Sequence, residues 1–446
     1  MRRVIWRLAA PMIVVEVLMA LETLGVVAII GRMPGQALYV RSVYMPVALI
    51  YLALNTGLLT SNQVGAALIR GRGQPSAVAP MMVSMARIWL LLGLALFAGL
   101  AVGAPGLAVL LHVAVQARGQ FAWFIRTTAL ANLAFTGPGL CASSLRGYGY
   151  TRSGSAVLLV NAVSELAIVA GLSLGAGYGL GSVPLARVAA SAAALVLGSF
   201  FIRRAGLWPR HSLTRPRPSA LILIRKVGLP VAASLAIISG YSLGLLWVLG
   251  RYGPDVVSGF ATALTAYNVI IIPAVMLGSA TAIAINQQWG GGCFHLSRLT
   301  LRAGLVSTLA LYLPIALGAW LGAGLLAEAA TSVAAIGQVT ALYLHTVALT
   351  YLVQGPVIAA LTVMEQIGGG LYAVVLNAVY FAGIVVAAAL VTRVLSGPEA
   401  VFGTIAVANL AGLSVLVVAV AFVRRAQARG GRNAAAAGGE DAGARS

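Results

Sequence analysis

Charged side chains are scarce in this chain of 446 residues. They make up 9% of the sequence, whereas a soluble domain carries roughly 25%. Acids are the scarcest of them, with nine in all, and Lys226 is the single lysine beside 28 arginines. So few charges cannot cover a water-facing surface, and 60% of the residues are apolar. The sequence therefore predicts a membrane protein rather than a set of soluble domains.

Cysteine is nearly absent too, because Cys141 and Cys293 are the only two. Two cysteines cannot form the framework of a disulfide-rich secreted scaffold. The net charge of +20 would suit nucleic acid. The arginines alternate with apolar runs instead of forming one patch, so we expect no nucleic-acid partner.

Long apolar runs dominate what remains. A membrane-crossing helix needs about 20 predominantly apolar residues, and Gly, Pro and Arg clusters divide the chain into twelve such segments. The predicted fold is an all-α polytopic membrane protein with these spans: 9–31, 40–68, 81–111, 119–145, 151–176, 180–203, 222–249, 257–287, 301–327, 334–363, 370–393 and 401–423.

Arginine placement predicts the orientation. With the N-terminus in the cytoplasm, 22 basic residues fall on the inner side and seven on the outer side, as the positive-inside rule requires. We therefore expect a multi-pass protein of the cytoplasmic membrane with both termini inside, in a bacterial cell. Glu16 and Glu22 interrupt the first apolar run, so it is interpreted as a membrane helix and not as a signal peptide.

The chain contains an internal repeat. Pro11 and Pro230 open similar segments 219 residues apart, and the same offset relates Gly31-Arg32 to Gly250-Arg251. Asn161-Ala162-Val163 matches Asn377-Ala378-Val379 at an offset of 216. Six spans return a chain to its starting side, so the two halves enter the membrane in the same orientation, as parallel repeats do.

The repeat predicts four regions. These are an N-terminal six-helix bundle (1–203), a basic cytoplasmic linker (204–221), a C-terminal six-helix bundle (222–425) and a disordered tail rich in Ala, Gly and Arg (426–446). Paired bundles of this kind are typical of transporters, which open a cleft to one side at a time.

Several stretches resemble the multidrug and toxic compound extrusion (MATE) family over about residues 5–425. They are LAAPMIVVEVL…VVAIIGR, GLLTSNQVGAALIRGRG, SSLRGYGYTRSG and VGLPVAASL…LLWVLGR. The resemblance implies a transporter and not an enzyme, and it implies cation-coupled export of bulky, often cationic, organic compounds.

The chain departs from the family at positions that usually hold acids. Val26 stands where the family commonly has an Asp in the first helix, and Ile238 stands where the sodium-coupled branch has a Glu. Val353-Gln354 replaces that branch's Asp in the tenth helix, and Glu365 lies in the turn where a Leu-Arg-Gly motif would repeat. These differences argue against sodium-coupled transport. They leave the N-terminal half as the place where an ion would be coupled to transport.

Three acids lie well inside predicted spans: Glu16, Glu22 and Glu165. An ionised carboxylate at the centre of a membrane helix costs at least about 2.5–3.5 kcal/mol, so such residues usually serve function. Asn161 lies one turn before Glu165, on the same helix face. This pair resembles the proton site of DinF-type members of the family, in which the acid is Asp. We predict that Glu22, Glu165 and Asn161 couple transport to protons, with sodium the weaker alternative, and that Glu16 lies on the inward path.

Polar and aromatic residues within spans are candidates for a cargo cavity, because aromatic faces suit organic cations. They are Asn55, Asn132, Thr136, Tyr241, Tyr267, Asn268, Tyr351 and Gln354. Interhelical packing is the competing interpretation for each of them. For Glu365, we expect a cytoplasmic hinge contact with Arg146.

The alternatives are a flippase for lipid-linked oligosaccharides or lipids, which shares the paired-bundle layout, and a family member without ion coupling. A membrane enzyme would need clustered Asp or His, and the chain has neither. We expect no metal or organic cofactor, a small organic molecule as cargo, the lipid bilayer as surroundings, and a monomer.

Overall fold

The computed structural model describes residues 1–33, 35–208 and 218–443, and it describes side-chain surroundings as far as residue 428. The described residues form helices and turns without a β-strand. This confirms the predicted all-α fold.

The first half contains six long helices. They are α1 (Arg2–Ile30), α2 (Ala37–Gly71), α3 (Val78–Leu110), α4 (Arg118–Tyr148), α5 (Thr151–Ala170) and α6 (Ser182–Arg204). Their bounds lie within a few residues of the predicted spans, except that α1 begins at Arg2.

The second half also contains six. They are α7 (Pro218–Tyr252), α8 (Pro254–Gly290), α9 (Ser297–Leu321), α10 (334–364, with a 3₁₀ turn at Ala348–Thr350), α11 (Gly370–Val391) and α12 (398–443). The ninth predicted span, 301–327, breaks at Gly322, which ends α9 before the short helix Ala323–Ala330. Residues 426–443, which belong to the tail predicted to be disordered, continue α12 as a helix. Residues 444–446 lie outside the described residues.

Ten helical stretches of the described chain are long and apolar enough to cross a membrane. One of them, Ala334–Val391, contains both α10 and α11. A further helix, α4, has the length but carries more polar residues, and its Arg, Thr and Asn side chains prove important below. Together they account for twelve crossing helices.

Contacts divide the chain into two compact units. The N-terminal unit is Ala10–Ala232, and the C-terminal unit combines Met1–Ala9 with Ala233–Ser446. The division therefore falls inside α7 and not at the predicted linker, whose residues 209–217 lie outside the described residues. The start of α7 joins the N-terminal unit because it packs on α2, where Ser61 Oγ donates to the Leu223 carbonyl at 3.3 Å.

In the N-terminal unit, α4 is the central helix and packs against α2, α3, α5 and α6. By contrast, α1 packs sparsely, and Val14, Leu18 and Leu21 on it are exposed. An exposed apolar surface is the normal condition of a helix that faces lipid.

In the C-terminal unit, α8, α9 and α10 pack against one another. The core there is aromatic, with Phe260 stacked on Phe402 and Tyr343 edge-on to both rings.

Candidate functional site

A cavity of about 170 Å³ lies inside the N-terminal unit. Helices α1 to α6 all contribute to its wall, with these lining residues: Glu22, Thr23, Val26, Arg41, Tyr44, Ala48, Tyr51, Leu52, Asn55, Trp89, Phe124, Thr128, Asn132, Phe135, Glu165, Val183 and Arg187. It brings together two of the three predicted intramembrane acids.

Glu165 on α5 is held by Arg187 on α6. Its Oε1 accepts from Nη2 of Arg187 at 2.8 Å and from Nε at 3.0 Å. The Glu165 side chain is 4% exposed and that of Arg187 is 34% exposed. A cationic partner offsets much of the cost of a carboxylate at this depth.

The guanidinium also extends the network away from Glu165. Nη1 of Arg187 donates to Asn132 Oδ1 at 2.9 Å, and Asn132 Nδ2 donates to the Tyr44 hydroxyl at 3.4 Å. One chain of hydrogen bonds therefore joins α5, α6, α4 and α2 across the cavity.

Glu22 on α1 faces the same cavity without such a partner. Its carboxylate accepts only a long hydrogen bond, 3.5 Å, from Thr23 Oγ1. No Lys, Arg or His nitrogen of the described residues lies within 4.0 Å of the Glu22 carboxylate. The ion pairs found among the described residues are Glu165–Arg187 and Glu16–Arg146. The cavity thus contains one paired carboxylate and one unpaired carboxylate.

A second guanidinium group, that of Arg41 on α2, also lines the cavity. Its Nη1 lies 2.8 Å from the sulfur of Met45. With both acids ionised, Glu22 and Glu165 balance Arg41 and Arg187. The uptake of a single proton therefore leaves the cavity with a net positive charge.

Three polar atoms around the cavity have no protein partner. They are Asn55 Oδ1, Thr128 Oγ1 and Trp89 Nε1, all buried. Buried polar atoms in native proteins are almost always hydrogen-bonded to protein or water, and a cavity of this size has room for several waters. The wall is therefore suited to a hydrated, proton-conducting interior.

Two other predicted residues lie apart from the cavity wall. Asn161 is buried one turn before Glu165, but its Oδ1 accepts from Ser191 Oγ at 3.4 Å and it does not contact the acid. Thr136 is buried in α4 and its hydroxyl has no partner.

Glu16 lies outside the cavity, in an ion pair with Arg146 at 2.8 Å. The Arg146 side chain is 8% exposed and that of Glu16 is 27% exposed. The expected contact of Arg146 with Glu365 is therefore wrong. Arg146 is bound within its own unit because α1 passes beside the end of α4.

Most of the cargo candidates of the C-terminal unit are buried in this structure. Tyr241, Tyr267 and Tyr351 are buried in the aromatic core, where Gln354 Nε2 donates to the Tyr267 hydroxyl at 2.9 Å. Asn268 is exposed. Helical periodicity places a tyrosine on a face, but it does not tell whether that face meets another helix or an open space.

Arg187, Arg41 and Tyr44 are among the cavity residues that the sequence interpretation missed. The positive-inside count places both arginines on the outer side, whereas Arg187 lies within α6 and Arg41 within α2. The available signal was the shortage of acids, since an arginine inside a span calls for a counter-charge and Glu165 was one of few candidates.

A duplicated twelve-helix membrane fold is typical of membrane transporters. The family model described as MatE matches residues 230–391. The chain is 25% identical to the "Probable multidrug resistance protein NorM" of Deinococcus radiodurans over 318 residues, which cover 68% of this chain and 67% of that protein. It is 26% identical to the "Probable multidrug resistance protein YpnP" of Bacillus subtilis over 114 residues, 26% of each chain, so that match spans about a quarter of the relative.

Solved structures share the fold over nearly the whole chain. The Vibrio cholerae MATE transporter VcmN superposes with a TM-score of 0.89 at 16% identity, covering 95% of this chain and 97% of the other. A MOP superfamily transporter from Pyrococcus furiosus superposes with a TM-score of 0.87 at 17% identity, covering 96% of each. The chain is therefore similar to MATE transporters in sequence over residues 230–391 and in fold over nearly its whole length.

Proposed function

We propose that the protein is a proton-coupled antiporter that exports bulky organic or cationic compounds by alternating access. The observation that carries the proposal is one cavity lined by two carboxylates, Glu22 and Glu165, of which only Glu165 is paired with a guanidinium group, that of Arg187. The names of the two multidrug-resistance relatives support the class of cargo.

The charges of the cavity supply the coupling. An ionised Glu22 has no counter-ion in contact. A proton that binds Glu22 therefore breaks no ion pair, whereas one that binds Glu165 weakens the pair with Arg187. Protonation of either acid leaves Arg187 and Arg41 in excess, and a cationic cargo is then repelled. Proton and cargo therefore compete for the same carboxylates, which is the requirement for antiport.

Arg187 favours a proton over sodium as the coupling ion. Its guanidinium group donates both of its hydrogen bonds to Oε1 of Glu165, and its positive charge would repel a sodium ion beside that carboxylate. The described residues contain no group of three acid, His or Cys side chains that could hold a metal ion. A proton needs only one carboxylate oxygen.

In this state the cavity has room for an ion but not for bulky cargo. Pockets for drug-sized ligands measure roughly 300–1,000 Å³, and this one measures about 170 Å³. Bulky cargo therefore needs a wider state of the protein, and alternating access provides one. Sparse packing of α1 leaves Glu22 on the helix best able to move between such states.

The test is efflux of ethidium from proteoliposomes under an imposed proton gradient. We expect wild type to move dye, and Glu165→Gln and Glu22→Gln to fall to the rate of empty vesicles. Glu328→Gln removes an exposed acid far from the cavity and is the matched control.

Gradient-driven transport by both cavity variants would overturn the carboxylate mechanism. Movement of no cation by wild type would overturn drug export and favour the flippase, to be assayed next with a fluorescent lipid. Movement of dye at a rate independent of the gradient would indicate an uncoupled family member.

A further inference from the structure

The turn between α10 and α11 buries an acid in the C-terminal unit. Glu365–Gly369 forms a π-helical turn, and Gly368 interrupts the helical backbone there with a φ of +87°. Glu365 is 9% exposed, although it lies at the end of a helix where solvation is usual. Neither the cavity of the N-terminal unit nor the proposed coupling involves this residue.

Neutral groups are the direct partners of the Glu365 carboxylate. Asn377 Nδ2 on α11 donates to its Oε1 at 3.3 Å and to Ser234 Oγ on α7 at 2.9 Å. Because Ser234 Oγ accepts that bond, its own hydrogen can be donated to the carboxylate. No Lys, Arg or His nitrogen within the described part of the chain lies within 4.0 Å of Glu365.

The helices packed around the turn add no charge. From α8, Asn286 Nδ2 donates to the Gln366 carbonyl at 3.0 Å and Ser279 Oγ donates to the Gln366 side chain at 3.3 Å. The side chains that α9 and α12 place against the turn are apolar, namely Leu301, Phe422 and Val423. As far as residue 428, the arginines on those two helices are exposed: Arg298, Arg302, Arg424 and Arg425.

The corresponding turn of the first half has a different set of charged side chains. At the end of α4, Arg146 is buried and forms its ion pair with Glu16 on α1, the helix that corresponds to α7 in the repeat. In the second half, an acid stands at the end of the helix and a serine stands on α7. The duplicated turn has therefore exchanged an ion pair for a lone buried carboxylate.

We propose that Glu365 is a proton-binding site of the C-terminal unit, held between Ser234 and Asn377. A buried carboxylate without a cation is costly when ionised, and the amide and hydroxyl offset only part of that cost. Binding of one proton to the carboxylate gives a neutral carboxyl group, which the closed turn accommodates. Release of the proton favours an opened turn in which water reaches the carboxylate.

Infrared difference spectroscopy of the purified, cargo-free protein between acidic and alkaline buffer tests the proposal, because it separates the carboxylic acid band from the carboxylate bands. We expect Glu365→Gln to lose the acid-band component of a buried carboxyl group, and Glu328→Gln to lose only that of a solvent-exposed one. After correction for the intrinsic pH dependence of amide exchange, the protection of residues 365–369 against hydrogen–deuterium exchange should fall with pH in wild type and stay constant in Glu365→Gln. A Glu365→Gln spectrum identical to that of wild type would overturn the site.

A second variant tests the same proposal if Glu365→Gln does not fold. Ser234→Ala keeps the acid but removes one donor to its ionised form, so the midpoint of the infrared titration should move to higher pH. An unchanged midpoint would contradict the proposal. The readout is proton binding without cargo or gradient, so the result is independent of whether Glu22 and Glu165 couple transport.

Discussion

Arg187 is the residue on which the N-terminal site depends. It contacts Glu165 and Asn132, and through Asn132 it reaches Tyr44. Removal of one member of a buried ion pair leaves an uncompensated charge, whereas removal of both leaves none. The pair is therefore best examined by removing its members singly and together.

We expect Glu165→Met and Arg187→Met each to lower the free energy of unfolding by about 3 kcal/mol, and the double variant to lose much less than their sum. Thermal unfolding of the purified protein in detergent measures the four forms of this double-mutant cycle. Additive losses would mean that the two side chains do not stabilise each other, and the ion pair would lose its place in the mechanism.

Glycine decides how closely two elements of the N-terminal unit approach. The backbones of α2 and α7 meet at Gly57 and Gly228, and a methyl group on Gly57 would overlap the Gly228 carbonyl oxygen. Gly99 on α3 has open space where a methyl group would lie. The two positions therefore form a matched pair for substitution within one unit.

Gly57→Ala should destabilise the protein by about 1–3 kcal/mol, because the added methyl group forces the backbones apart. Gly99→Ala should be neutral or slightly stabilising, since Ala favours a helix over Gly by about 1 kcal/mol. The midpoint of thermal unfolding compares the two. Equal shifts in both variants would show that the contact between α2 and α7 is looser than the structure has it.

At the scale of the whole molecule, the predicted orientation decides which turns between the helices face the cytoplasm. The turn after α3 contains Ala114, and the turn after α8 contains Cys293, which is partly exposed. With both termini in the cytoplasm, these two turns face opposite sides of the membrane. The native cysteine is thus an internal reference for topology.

An impermeant maleimide applied to intact cells should label Ala114→Cys and leave the native Cys293 unlabelled until the membrane is permeabilised. A Cys293→Ser variant identifies which thiol reacts, since Cys141 is buried. Labelling of Cys293 in intact cells would overturn the predicted orientation.

Local chemistry accounts for what could be predicted from the sequence alone. Twelve spans follow from apolar length, and nearly every predicted boundary lies within a few residues of a helix end because Gly, Pro and Arg act on the adjacent backbone. Glu22 and Glu165 were recognisable because an acid inside an apolar span is costly wherever it points. Neither result required knowledge of which helices are neighbours.

Tertiary packing decided the rest. Helical periodicity assigns a side chain to a face but does not say which helix stands opposite, so neither the Glu165–Arg187 pair nor the Glu16–Arg146 pair could be derived from spacing. The same limit applies to Tyr241, Tyr267 and Tyr351, because spacing does not show that they share one buried aromatic cluster. The surroundings of Glu365 likewise depend on two other helices, α7 and α11, which place the neutral side chains of Ser234 and Asn377 beside its carboxylate.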